Sequence, residues 1–153
     1  MRGSGVSSGR LVELRLADPV LTYTQWLEAL CLWREARGVK PELRKDALRA
    51  VLWVIKNRAA SPKRWPNGEI GVILQPKQFS SFNRVDPNAT RFPQAKNAAD
   101  WAAWQDCCEV VAEPGADPTN GANHYESCPE GQEPLWATKP PALIVGPFEF
   151  YKL

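Results

Sequence analysis

The sequence predicts an α+β domain, mainly helical, with a small β-hairpin or sheet region. Twelve of the fourteen prolines fall at or after Pro62, which confines long helices to the stretch before it and to the gaps between later prolines. Apolar residues recur at helical spacing in three stretches, and residues 142–151 read as two short apolar runs around Gly146-Pro147. With 153 residues, 44% hydrophobic and 24% charged, the chain has the size and balance of one soluble globular domain that can bury a core.

The opening run Met1-Arg2-Gly3-Ser4-Gly5-Val6-Ser7-Ser8-Gly9 lacks the apolar centre of a secretory signal. Residues 1–18 read as a flexible leader or cloning remnant, and residues 19–153 as the folded domain. A first helix is expected from near Thr22, where Thr22 and Gln25 have capping-box spacing, to about Arg37. Leu27 and Cys31 lie eight and four residues before Glu35, so all three share one helical face, and Leu30 widens the apolar stripe. A second helix spans Pro41 to Ala59. Its stretch from Ala47 to Ile55 is apolar on nearly every side and marks a centrally packed helix, with Asn57 and Arg58 expected to cap and solvate its end, direct substrate contact being the alternative.

Between Ser61 and Pro93 the chain turns irregular at Ser61-Pro62, Trp65-Pro66-Asn67-Gly68 and Gln75-Pro76, with one short element over Ile70–Leu74. A loop-rich segment of that length reads as one wall of a cleft. A third helix is expected over Ala98–Ala112, with Trp101, Trp104, Cys108 and Val111 as its core stripe. Trp53 and Trp101 read as core residues. The turn Asp117-Pro118-Thr119-Asn120-Gly121 then leads into Asn123-His124-Tyr125-Glu126, and residues 142–151 resemble a closing hairpin.

Glu35 is the most informative residue. A carboxyl group on an apolar helix face is desolvated, and the negative end of the helix dipole near Gly38 also raises its pKa, so Glu35 suits proton donation at neutral pH. The alternative is an ion pair with Arg34 or Arg37.

Charge divides unevenly: residues 1–66 carry 13 Lys+Arg against 6 Asp+Glu, and residues 67–153 carry 6 against 11. The halves can attract each other, or the basic half can meet an anionic cell-wall polymer. No Lys/Arg run suits nucleic acid, no apolar stretch spans a membrane, and phosphate-loop, dinucleotide and G-x-S-x-G signatures are absent. Without an export signal the four cysteines are expected as thiols. A zinc site from Cys107, Cys108, His124 and Cys128 is disfavoured, because adjacent cysteines seldom reach one tetrahedral ion. Neither metal nor cofactor is expected.

Four separated pieces occur in a telling order: Arg34-Glu35-Ala36-Arg37-Gly38, Asn57-Arg58, Gln75-Pro76-Lys77-Gln78-Phe79-Ser80, and Asp117-Pro118-Thr119-Asn120-Gly121-Ala122-Asn123-His124-Tyr125. Together they resemble the cell-wall hydrolase family of the spore cortex-lytic enzymes, over roughly Leu27 to Tyr151. The resemblance implies a lysozyme-like or lytic-transglycosylase-like fold that cleaves peptidoglycan glycan strands between N-acetylmuramic acid and N-acetylglucosamine, with Glu35 as the catalytic acid and base. Residues 19–153 would then be the peptidoglycan-cleaving catalytic domain.

Many relatives carry an acidic residue after the signature glycine, where this chain has Val39. Asp86 and Asp117 remain as possible second carboxylates, each read more readily as a turn former beside proline. A single glutamate suffices if the substrate supplies its own nucleophile, as in lytic transglycosylases. Gln78, Phe79, Ser80 and Ser81 offer an amide, a ring and hydroxyls suited to sugars, with Phe79 as a core anchor of the loop the alternative; His124 and Tyr125 are expected to line the cleft or make a strand hydrogen bond, and Trp136 and Trp65 to stack on sugar faces. The rival readings are a non-catalytic glycan-binding module and a peptide-directed amidase. The expected setting is a monomeric phage endolysin, made in the host cytoplasm and acting on the bacterial cell wall.

Overall fold

The structure is a computed structural model and describes residues 20–75, 78–127 and 134–153. The leader read over residues 1–18, Pro76, Lys77 and Cys128 lie outside them. Helix α1 covers Tyr23–Ala36, and its capping box is closed from both sides: Thr22 Oγ1 accepts from the Gln25 amide at 3.1 Å, and Gln25 Oε1 accepts from the Thr22 amide at 2.9 Å. Helix α2 covers Pro41–Ala59, with Pro41 at its first position, where a missing N–H costs nothing. The short element expected over Ile70–Leu74 is a helix, α3, and starts two residues earlier, at Gly68–Leu74. Asn67 and Gly68, with φ of 70° and 66°, turn the chain into it. Two 3-10 turns follow at Ser80–Phe82 and Pro87–Thr90, and α4 spans Ala98–Ala112 behind the Asn97 cap.

Strands β1 (His124–Ser127), β2 (Leu143–Val145) and β3 (Phe148–Tyr151) form an antiparallel sheet in the order β1-β3-β2. Gly146, at φ 54°, opens the two-residue turn of the β2–β3 hairpin. Tyr125 pairs with Phe150 and Ser127 with Phe148, and Leu143 and Val145 pair with the same two phenylalanines. Strand alternation therefore puts Tyr125, Ser127, Phe148 and Phe150 on the face toward the helices, and His124, Glu126 and Glu149 on the other.

The fold is thus the mainly helical α+β domain the sequence predicts. Its larger core joins α1, α2, α4 and the sheet through residues such as Trp33, Leu52, Val110 and Phe150. A smaller core, Leu27, Cys31, Ile55, Trp65, Val72, Ile73 and Phe79, fills the angle between α1, α2 and α3. Leu30 packs into the larger core, away from Leu27 and Cys31, so α1 is buried on two sides.

The stripe of α4 also differs from expectation. Ala103, Cys107, Val110 and Val111 are buried, Trp104 and Cys108 are partly covered, and Trp101 is half-buried. The buried centre of the α4 face is thus made of small side chains, and the broad indoles of Trp101 and Trp104 stay partly exposed. Trp53 is half-buried too, its indole N–H donating to the Pro114 carbonyl at 3.3 Å, while Trp33 is the inner tryptophan of the larger core. Among the described residues no helix is long and apolar enough to cross a membrane.

Candidate active site

Glu35 stands in the last turn of α1, on the line of Leu27 and Cys31, and lines a hollow of about 340 Å³ with Arg58, Gln78, Ser80, Tyr125 and Phe148. The Tyr125 hydroxyl donates a short hydrogen bond to Glu35 Oε1. Burial raises the pKa of Glu35, the hydrogen bond from Tyr125 and the nearby Ser81 hydroxyl pull it down, and the charge of Asp86 raises it again, with a net upward shift. The ion-pair alternative is not realised. Arg34 donates to the carbonyls of Arg91, Ser81 and Ala89 at 3.1, 3.3 and 3.0 Å, and Arg37 donates to the Arg34 carbonyl and to Asn88 Oδ1.

Arg34 is 7% exposed, and its guanidinium lies 4.7 Å from the Phe82 ring centre and 5.0 Å from that of Phe92. Held between these faces, it fastens the loop of residues 78–92 through backbone carbonyls. That sets the wall opposite β1 and brings the Ser81 hydroxyl beside Glu35. Ser81 is 1% exposed, and its Oγ completes no full hydrogen bond among the described residues, so its contact with Glu35 is a loose one.

The end of α2 holds the other wall. Asn57 Nδ2 donates to Asp117 Oδ2 at 3.0 Å and to the Ala122 carbonyl at 2.9 Å. Arg58 donates from Nε to the Asn123 carbonyl at 2.7 Å and from Nη1 to Gln78 Oε1 at 3.1 Å. The capping role expected of this pair is thereby corrected: both side chains reach across to the strand entrance, and Arg58 also enters the cleft lining. Asp117 is the turn former expected, accepting from the amide and hydroxyl of Thr119 at 2.7 and 2.6 Å and from the Gly121 amide at 3.0 Å. Desolvation would raise its pKa, but the hydrogen bonds from Thr119, Asn57 and Gly121 outweigh it and lower the value. Asp86 likewise accepts from the Asn88 amide at 2.7 Å to start its 3-10 turn.

The expected site residues divide. Glu35, Gln78, Ser80 and Tyr125 share one cleft, although the Tyr125 hydroxyl is spent on Glu35. Phe79 is 1% exposed inside the smaller core, so the substrate contact expected of it is corrected: the ring anchors the loop. Trp65 is 5% exposed in the same core, flanked by Arg58 and Arg64, and has no face to offer a sugar. His124 and Trp136 lie together, ring centres 5.5 Å apart, and His124 leaves the sheet on the face opposite Tyr125. Desolvation, then the charges of Arg58 and Arg64, lower the His124 pKa to about 4, so its ring is neutral near pH 7. Of the zinc candidates, Cys107 is a buried residue of the α4 core face, and among the described residues no three His, Cys, Asp or Glu side chains are grouped to hold a metal ion. Ser127 and Phe148 entered the cleft lining without a role read from the sequence, and Arg34 and Ser81, both in segments the sequence singled out, take places that depend on contacts between distant segments.

A helical domain with a small sheet, and a protonatable carboxyl group at the floor of a polar cleft, is an architecture suited to bond cleavage by acid catalysis. The profile of the Cell Wall Hydrolase family matches residues 44–151, and the chain belongs to that family. The match takes in Arg58, the loop of Gln78 and Ser80, and Tyr125, and begins after Glu35. No curated protein and no solved structure matches the chain.

Proposed function

We propose that this protein cleaves the glycan strands of peptidoglycan between N-acetylmuramic acid and N-acetylglucosamine, with Glu35 as general acid and then general base. One observation carries the reading: a carboxyl group pushed toward its neutral form by burial, free of any Arg or Lys partner among the described residues and opening into a cleft. Protonated Glu35 gives its proton to the glycosidic oxygen as the C1–O bond breaks, and N-acetylglucosamine leaves with a free 4-hydroxyl. The muramoyl 6-hydroxyl then closes on C1, and its proton returns to the Glu35 carboxylate.

A single-carboxylate route is favoured by the other acids. Asp117 and Asp86 are engaged in turns, and Glu126, although it lines the rim of the same hollow, leaves β1 on the face opposite Tyr125, the residue that bonds Glu35. The substrate's acetamido and 6-hydroxyl groups then do the work that a second carboxylate does in hydrolysis.

Glu35→Gln is expected to cut kcat by about a thousandfold or more while leaving the circular dichroism spectrum and Tm in place. Mass spectrometry of digested peptidoglycan is expected to show 1,6-anhydromuramic ends. Reducing muramic ends would assign hydrolysis to the same acid, and intact strands with binding preserved would identify a glycan-binding module instead.

A further inference from the structure

The groove continues past Glu35. On the far side of Phe148 it opens into a second hollow of about 470 Å³, lined by Val39, Leu43, Gly146, Pro147 and Lys40 among others. Glu35, Ser127 and Phe148 line both hollows, so these are two arms of one groove that meet at the carboxyl group.

The arms differ in chemistry. The first presents a guanidinium, an amide, a hydroxyl and a carboxylate from Arg58, Gln78, Ser80 and Glu126, with the Tyr125 hydroxyl given to Glu35. The second is largely apolar: Val39 is 7% and Leu43 38% exposed, and a Cβ on Gly146 would lie 3.9 Å from both, so the hairpin tip faces them at contact distance. Its one basic residue is Lys40, exposed at the start of α2, where its side chain makes no capping bond and has no acidic partner among the described residues.

We infer that this second arm takes the muramoyl residue, with Lys40 holding the carboxylate-bearing arm on its C3 and Val39 and Leu43 packing the methyl groups of that arm. The inference rests on the glycan-cleavage reading above. The two alternating sugars are alike except at C3, where N-acetylglucosamine has a hydroxyl and N-acetylmuramic acid an ether-linked lactyl group. That group ends in a carboxylate, or in a peptide that carries carboxylates. An apolar wall with one unengaged cation favours the acidic C3 arm, whereas in the other arm the Arg58 guanidinium is taken by the Asn123 carbonyl and Gln78, and Glu126 disfavours a second anion. The register follows: muramoyl on the Lys40 side, N-acetylglucosamine on the Arg58 side, and the bond between them over Glu35.

The test uses the full chain and three glycans of matched length: a peptide-bearing peptidoglycan strand, the same strand stripped of peptide to leave lactyl carboxylates, and a chitooligosaccharide with no C3 arm. Wild type is expected to cut at least one muramoyl strand and to cut the chitooligosaccharide at least about a hundredfold more slowly. Lys40→Glu is expected to raise KM about five- to tenfold with little change in kcat, an effect that shrinks as salt is raised. The strand that shows the loss identifies the carboxylate as lactyl or as stem-peptide. Leu43→Ala is expected to raise KM about threefold at every salt concentration. Both side chains are exposed, so neither change threatens folding.

Equal cleavage of the chitooligosaccharide, or an unchanged KM for Lys40→Glu on both muramoyl strands, would overturn the inference and leave the glycan-cleavage reading standing. Wild-type protein that cuts no strand would overturn both.

Discussion

At the scale of single residues, the cleft turns on how tightly one proton is held. Burial raises the pKa of Glu35, and the hydroxyls of Tyr125 and Ser81 oppose it by favouring the carboxylate. In the proposed reaction the protonated form works first, so activity is lost as pH rises through the Glu35 pKa. Removing either hydroxyl leaves burial less opposed. Tyr125→Phe and Ser81→Ala are therefore expected to move the alkaline limb of the kcat/KM profile to higher pH, while kcat falls about ten- to a hundredfold in Tyr125→Phe for loss of a bond to a charged group. A pH–rate series checks this, and a limb that stays in place would remove both residues from proton control. Glu35 was legible in the sequence because helical spacing to Cys31 and Leu27 is a local property. Gln78, Ser80 and Tyr125 were named from separated segments, but no local spacing says how they meet Glu35. Which of Gln78, Phe79, Ser80 and Ser81 faces inward is decided by a 3-10 turn, whose three-residue period buries Phe79 and turns Phe82 toward the core as well.

At the scale of elements, the helices and the loops obey different rules. Capping residues, prolines and apolar spacing fix a helix within its own sequence, which is why the bounds expected for α2 and α4, and the hairpin at Gly146-Pro147, match the structure. The connecting segments satisfy their carbonyls with distant side chains: Arg34 for residues 81–91, Asn57 and Arg58 for residues 122–123. No local pattern encodes such partners. Arg34→Lys keeps the charge and loses the planar fork, so two of the three carbonyls lose their donor. The change is expected to cost about 2–3 kcal/mol and to speed amide exchange across residues 78–92 more than across α2. Hydrogen exchange read by mass spectrometry would show it. Uniform faster exchange along the chain would mean that Arg34 supports the core generally and not this wall.

At the scale of the whole molecule, the charge asymmetry of the sequence resolves into contacts between its halves. Arg44 meets Asp106 at 2.8 Å, Lys45 meets Glu109 at 2.7 Å and Lys56 meets Glu69 at 3.0 Å, each joining the basic first half to the acidic second. The last of these borders a group that sets how stability varies with pH. Glu28 is 2% exposed beneath α3, its Oε2 lies 3.9 Å from Lys56 Nζ, and that oxygen has no hydrogen-bond partner among the described residues. Desolvation first, then the hydrogen bond and charge of Glu69, raise its pKa from 4.5 to about 8, against the pull of Lys56. A carboxyl group raised in the folded state stabilises fully below its unfolded value, and that contribution is lost as pH climbs from about 4.5 to about 8. His124 has the opposite sign: its pKa falls to about 4 on folding, so its contribution is present above 6.5 and is lost as pH drops toward 4. Between the two lies a plateau of greatest stability in mildly acidic solution. Glu28→Gln keeps the shape and removes the titration. Its Tm is expected to equal wild type near pH 4.5 and to exceed it increasingly up to pH 8.5, by about 2–4 °C for each kcal/mol regained. Thermal melts across that range are the measurement. A constant offset at every pH would trace the difference to packing, and no offset would mean that Glu28 titrates as it does in the unfolded chain.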